Sequence, residues 1–142
     1  MPYAVFSFHF HNAQKLVFIA GGIGITPFIS MLQAIYEQKL DKKVTLFWGN
    51  KTEKDIVFKG KIDRMASELP GLKIVHVLSR QDDWKGEKGR INKDILEKHL
   101  NGSIEGEFFI CGPPKMMEDV KKDLKSLEVH GKRIHMERFA LR

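Results

Sequence analysis

Three glycines within four positions, Gly21, Gly22 and Gly24, run directly into the pair Thr26-Pro27. Glycine takes positive φ without strain and lets a ligand approach the backbone closely. Thr26 suits an N-cap, and Pro27 suits the first helical position, where its missing N–H costs nothing. Such a turn leaves unbonded amides and the positive end of a helix dipole facing one point, which favours a phosphate or pyrophosphate. An ordinary glycine turn in an α/β unit is the other reading of these residues. His9-x-His11 offers half of a metal site, but no third or fourth ligand stands nearby, so exposed alternating histidines are expected and no metal is assigned. The one cysteine, Cys111, excludes a disulfide framework, a Cys-rich zinc site and a Cys-ligated iron–sulfur cluster within this chain.

The elements that must hold the glycine turn follow from periodicity. Leu16 to Ala20 is an unbroken apolar run, read as a buried strand, and Phe28, Met31, Leu32, Ile35 and Tyr36 then keep helical spacing. Lys43 to Trp48 reads as a second strand closed by Gly49-Asn50. Phe58, Ile62, Met65 and Leu69 form a helix stopped by Pro70-Gly71. Leu72 to Leu78 is a third strand, followed by a polar loop with Gly86 and Gly89 and a short helix near Asp94 to Leu100 capped by Asn92. Glu107 to Cys111 is a fourth strand. Met117, Val120, Leu124 and Leu127 line a helix that Gly131 ends through a left-handed cap, and Arg133 to Phe139 is a fifth strand. This alternation predicts an α/β fold, a doubly wound parallel five-stranded sheet with helices on both faces. Ligands of such sheets sit at the carboxyl ends of the strands. The Gly21 loop, Gly49-Asn50, Ser79-Arg80 and Cys111-Gly112-Pro113 all fall there. Residues 1–14 stand outside the pattern as a lead-in strand, leaving 15–142 as the domain.

At 142 residues the chain is long enough for one buried core, and 42% apolar with 30% charged residues fits a globular protein. No apolar run approaches a membrane span, and the N-terminus has no secretory signal, so a reducing, cytoplasmic location is expected. The net charge of +6 comes from 24 Lys and Arg against 18 Asp and Glu. Acids interleave with lysines, as in Glu118 to Asp123, which reads as solvated helix faces and argues against a nucleic-acid partner.

The usual dehydrogenase fingerprint, Gly-x-Gly-x-x-Gly with an acid about 20 residues on, is not met: the glycines run Gly-Gly-x-Gly, and the second strand ends in Gly49-Asn50-Lys51. The ordered set of motifs instead resembles the ferredoxin–NADP⁺ reductase superfamily, specifically its C-terminal nucleotide-binding domain. Ala20 to Phe28 resembles the pyrophosphate loop of that family. Phe47 to Thr52 resembles the end of its second strand, and Val77 to Arg80 with Trp84-Lys85-Gly86 and Gly89-Arg90-Ile91 its third strand and following loop. Phe109 to Met116 resembles its Cys-Gly-Pro-Pro motif, and Glu137-Arg138-Phe139 its C-terminal acid and aromatic. The set covers 15–139, nearly the whole chain.

The resemblance implies NAD(P)H as ligand, with Gly21, Gly22, Gly24, Thr26, Pro27, Asn50, Ser79, Arg80, Gly112, Pro113 and Met116 binding it. It implies Cys111 beside the nicotinamide, Glu137 near the same ring and Phe139 facing a flavin. Each has a plainer alternative: a core cysteine, a surface carboxylate paired with Arg138, a core aromatic. Ser79-Arg80 resembles the pair that NADP-dependent members use for the 2′-phosphate, with Lys51 and Arg90 able to add charge. Trp84-x-Gly86-x-x-Gly89 also resembles NADH-dependent oxygenase reductases, so the expectation leans only slightly to NADP over NAD. Members normally carry a flavin-binding barrel of about one hundred residues ahead of this domain, an ordinary domain size. Here only Pro2-Tyr3-Ala4-Val5-Phe6 resembles its closing segment, with Ala4 in place of a glycine, and the Arg-x-Tyr-Ser flavin motif is absent. The implied function is the NAD(P)H-binding half of a flavoprotein oxidoreductase, passing a hydride to FAD and electrons onward to an iron–sulfur, haem or similar acceptor. FAD is expected only with a separate flavin-binding domain or subunit, and the isolated chain is expected to be inactive as a reductase. A nucleotide-binding regulatory subunit without redox activity is the alternative.

Overall fold

The computed structural model describes Phe10 and residues 12–137. Its elements are β1 (Lys15–Gly21), α1 (Thr26–Gln38), β2 (Lys43–Asn50), α2 (Lys59–Glu68), β3 (Leu72–Leu78), β4 (Glu87–Lys88), α3 (Lys93–Leu100), β5 (Glu107–Cys111), α4 (Pro114–Ser126) and β6 (Ile134–Met136). The strands form one sheet in the order β4-β3-β2-β1-β5-β6, and every neighbouring pair is parallel. The chain builds outward from β1 through β2 and β3 to β4, then returns to lay β5 on the other side of β1. The strand order therefore reverses at β1/β5, the position beyond whose carboxyl ends sheets of this kind form their ligand crevice.

Alternation along β1 explains why it is apolar throughout. Leu16, Phe18 and Ala20 pack into a core with Phe28, Leu32, Leu46, Trp48 and Ile62, under α1 and α2. Val17 and Ile19 pack into a second core with Phe47, Val77, Leu96, Phe108 and Leu124, under α3 and α4. A strand buried on both faces loses the polar half of its alternation. On the first face Phe18 stacks on Phe28 with ring centroids 4.8 Å apart and meets Phe109 edge-on at 5.7 Å, which anchors α1 over the centre of the sheet.

Local details depart from the sequence-based expectation in four places. Six strands are present among the described residues, not five. The added one is the two-residue β4, which pairs Glu87 with Val77 and Lys88 with Leu78; two polar residues carry no strand period. Thr26 is the first residue of α1 and not its cap, because a 3-10 turn over Gly22–Ile25 runs into the helix; Pro27 is second, and the Thr26 hydroxyl donates to the Ile23 carbonyl. Gly131 does not cap α4. That helix closes at Leu127, Glu128 takes the left-handed conformation at φ 72°, and Gly131 opens a separate 3-10 turn. The last strand is only Ile134–Met136; Arg138 and Phe139, like His9 and His11, lie outside the described residues. Asn92 caps α3 as expected, its side chain accepting from the Ile95 amide at 2.9 Å.

His76 projects from β3 between Trp48 and Trp84, with ring centroids 5.7 and 6.5 Å away. Burial pushes its pKa below the usual 6.5. A histidine with a folded pKa below its unfolded value stabilises the fold above the unfolded value, and that contribution is lost as the pH falls through the folded one. Denaturant unfolding at about pH 7.5 and about pH 5.5 is expected to show lower stability in acid. The His76→Phe variant is expected to lose the histidine's share of that difference.

Candidate functional site

The glycine turn sits at the head of β1. Gly21 is still extended, with φ −114° and ψ 116°. The chain turns at Gly22, the one glycine of the three with positive φ, at 54°. Among the described residues, no atom beyond its two chain neighbours lies within 4 Å of the place a β-carbon on Gly22 would occupy, so its backbone is open on that side. Gly24 is glycine for a different reason. A β-carbon there would collide with the Cys111 carbonyl and lie 3.0 Å from the Gly112 α-carbon. Gly22 thus answers to a backbone turn and an open approach, Gly24 to the packing of two loops.

The second loop leaves β5 at Cys111. A β-carbon on Gly112 would lie 2.8 Å from Met116 Sδ and 3.2 Å from the Gly21 amide nitrogen. One on Gly21 would lie 3.2 Å from Pro113 Cδ and 3.4 Å from Met116 Sδ. Gly21, Gly24, Gly112, Pro113 and Met116 are therefore one packed junction at the β1/β5 reversal. Pro113 precedes α4, and its carbonyl accepts from the Met117 amide.

Cys111 and Glu137 come together at the same junction, at the ends of neighbouring β5 and β6. The Glu137 amide donates to the Ile110 carbonyl at 3.1 Å. Burial of the Cys111 thiol, with a smaller contribution from the Glu137 charge, pushes its pKa up to about 11. The thiol is protonated at neutral pH and is neither a thiolate nucleophile nor a ready metal ligand. It is small and polarizable and packs, 1% exposed, in the first core at the end of β5. Partial burial also raises the Glu137 carboxyl above the usual carboxylate range, the direction that suits a proton-holding group.

The ends of β2 and β3 form the flank. The Ser79 amide donates to the Asn50 carbonyl at 3.0 Å and the Arg80 amide to the Lys51 carbonyl at 2.8 Å. Asn50 Nδ2 is buried and has no hydrogen-bond partner among the described residues. Gln81 clasps Glu53 twice, accepting from its amide and donating to its carboxylate, both at 2.8 Å. These bonds fix the backbone and leave the Ser79 and Arg80 side chains exposed. Farther along, Glu87 ties β4 to α3 by accepting from Lys98 at 3.0 Å and pairing with His99 at 2.6 Å. Those two hydrogen bonds, His99 first, hold the Glu87 carboxyl below the usual range.

The structure thus gathers Gly21, Gly22, Gly24, Thr26, Pro27, Gly112, Pro113, Met116, Cys111 and Glu137 at the carboxyl ends of β1, β5 and β6, with Asn50, Ser79 and Arg80 at those of β2 and β3. Phe139 lies outside the described residues. Sequence reasoning did not assign Trp48, Gln81 or Glu87. For Trp48 a signal existed: a buried indole N–H is a donor that needs an acceptor. No group of three or more His, Cys, Asp or Glu among the described residues is placed to hold a metal ion, and no described helix is long and apolar enough to cross a membrane. A cavity of about 470 Å³, lined in part by Lys15, Glu105, Glu107 and Arg133, lies at the amino ends of the strands, opposite the crevice.

Residues 18–122 match the oxidoreductase NAD-binding domain family. The chain belongs to that family. It is 36% identical over 130 residues to NADH-cytochrome b5 reductase 1 of Meyerozyma guilliermondii, covering 89% of this chain and 46% of the relative. Among solved structures it superposes on the CS-b5R domains of human Ncb5or in the NAD⁺ form with a TM-score of 0.82 and 28% identity, covering 91% of this chain and 38% of that one. The cytochrome b5 reductase domain of Ulva prolifera nitrate reductase gives 0.79 and 27%, covering 87% and 49%. The chain spans about half the length, or less, of these relatives.

In this NAD-binding domain the two glycines separate experimentally. Gly22→Ala places a methyl in open space and costs about 1 kcal/mol through its left-handed backbone. Gly24→Ala drives a methyl into the Cys111 carbonyl and is expected to cost about 2–3 kcal/mol by forcing the loops apart. Urea unfolding of both variants checks the order.

Proposed function

We propose that this chain is the NAD(P)H-binding half of a flavoprotein oxidoreductase and that its ligand lies in the β1/β5 crevice. The observation that carries this reading is the bare backbone of Gly22 at the head of α1, directly across the junction from Cys111 and Glu137. The nucleotide supplies a hydride from its nicotinamide, and a flavin held by a separate domain or subunit accepts it. The turn and the first amides of α1 take the pyrophosphate, with Thr26 and Pro27 fixing that helix start. Cys111, protonated and packed, gives the flat ring a close surface. Glu137, with its raised pKa, holds a proton or a charge beside it. In this reading 15–142 is the nucleotide domain, 1–14 is the remnant of a linker to a flavin domain, and Phe139 faces the flavin. The electrons go on to an iron–sulfur, haem or similar acceptor, in a cytoplasmic setting.

The relatives' names specify NADH, yet the residues at the end of β3 favour NADPH. Arg80, Lys51 and Arg90 are exposed and form no ion pair among the described residues. The backbone bond from Arg80 to Lys51 sets these two residues next to each other, and a guanidinium fork matches a phosphate. Arg80→Ala is expected to weaken NADPH binding about ten- to a hundredfold and NADH binding far less, as for loss of one charge-assisted hydrogen bond. Calorimetry with both nucleotides checks it, and equal losses overturn the NADPH preference.

The function itself is tested by fusing a flavin-binding barrel ahead of the chain and following flavin reduction by stopped flow. Cys111→Ala and Glu137→Ala are expected to slow reduction about tenfold or more, equivalent to about 1.4 kcal/mol of transition-state stabilisation, with NAD(P)H affinity nearly unchanged. Wild-type rates in both variants would restrict the site to binding. Nucleotide binding with no flavin reduction at all would favour a regulatory subunit.

A further inference from the structure

Trp48 is the last fully buried residue of β2, and its indole occupies the core beneath the glycine turn. Its Nε1 donates to the Gly22 carbonyl at 3.1 Å. That carbonyl belongs to the left-handed residue of the turn, which opens the 3-10 turn Gly22–Ile25 and at which an added β-carbon would meet no described atom beyond its chain neighbours. A trans peptide is planar, with its C=O and N–H pointing in opposite directions. Drawing the Gly22 carbonyl inward to the indole therefore aims the N–H of the same peptide, that of Ile23, away from the core. The Ile23 side chain is half exposed, so this peptide lies at the surface beyond the carboxyl end of β1. Donors fixed in advance toward an anion lose no orientational freedom when it binds.

We propose that Trp48 is a positioning residue for nucleotide binding: its indole N–H sets the Gly22–Ile23 peptide so that the Ile23 amide faces the pyrophosphate. The inference rests on the crevice being the NAD(P)H site. It goes beyond that reading by assigning the orientation of one peptide to one buried hydrogen bond. The same indole lies 5.7 Å from the His76 ring, which in turn meets Trp84 at 6.5 Å. The glycine turn and the β3–β4 loop are thus braced on one aromatic row.

Trp48→Phe keeps an aromatic ring and removes the donor. Loss of one buried hydrogen bond is expected to raise the Kd for ADP and for the preferred dinucleotide about three- to tenfold. Adenosine, which has no pyrophosphate, is expected to bind wild type and variant alike. Calorimetry for the first two ligands and amide NMR titration for adenosine measure this. Unchanged ADP and dinucleotide affinity in a folded variant overturns the assignment, and so does an equal loss for adenosine, which marks a general packing role. Should the variant not fold, the wild-type chain carries the test: added ADP must shift the Ile23 amide resonance, and ADP binding without that shift overturns the assignment. If wild type binds neither NADH, NADPH nor ADP, the nucleotide reading itself falls.

Discussion

The close approach of two backbones at the β1/β5 reversal is the constraint on which the rest depends. Parallel neighbours β1 and β5 bring Ala20 and Cys111 into register, and the segments beyond them then run within van der Waals contact. At Gly24 the facing Cys111 backbone leaves no room for a side chain, and at Gly21 and Gly112 a β-carbon would press on Pro113, on Met116 and on the facing backbone. This contact places the head of α1 beside the start of α4 and defines the crevice between them. The aromatic stack of Phe18 on Phe28 and the second core under α3 and α4 hold the sheet and helices that make the contact repeatable. A crevice made from packed backbone offers a ligand fixed amide donors with little reorganisation.

The same packing governs the chemistry on the crevice floor. Desolvation raises both the thiol of Cys111 and the carboxyl of Glu137, and the Glu137 charge adds to the shift at Cys111. The protonated thiol adds no charge to this junction. Had the site held a thiolate, its negative charge would have opposed the approach of an anionic dinucleotide.

Most of the architecture was legible in the sequence because it is written in periodicity. The apolar run of Leu16 to Ala20 and the i, i+3, i+4 spacing after Pro27 need no tertiary information. The carboxyl-end placement of the glycine turn, Asn50, Ser79-Arg80 and Cys111 followed from strand order alone. What escaped depends on partners distant in the chain. β4 exists because two polar residues lie along the edge of β3 and Glu87 finds His99 and Lys98. Gln81 clasps Glu53 across 28 residues, and Trp48 reaches Gly22 across 26. The one-residue error at the start of α1 has a local cause, since a 3-10 turn absorbs the residues that a direct cap would have used. The left-handed residue after α4 is Glu128 and not Gly131, because the hydrogen bond from the Val129 amide to the Leu124 carbonyl closes the helix earlier than the glycine's position implies.

The centre and the edge of this sheet are built to different tolerances. At the centre the glycine turn and the Cys111 loop are locked by backbone contact at Gly24, where an added methyl has nowhere to go. At the edge the stretch from Ser79 to Arg90 is tied down by a two-residue strand, the Gln81–Glu53 clasp and the Glu87 pairs, with Ser79, Arg80, Lys85 and Arg90 exposed. Exposed side chains can change at little cost to folding, whereas packed backbone cannot. Under the nucleotide reading proposed above, the residues assigned to the shared pyrophosphate lie where variation is expensive, and those assigned to the 2′-phosphate lie where it is cheap. On that reading a scaffold of this kind shifts between NADH and NADPH by exchanging residues at the end of β3, without disturbing the packed junction.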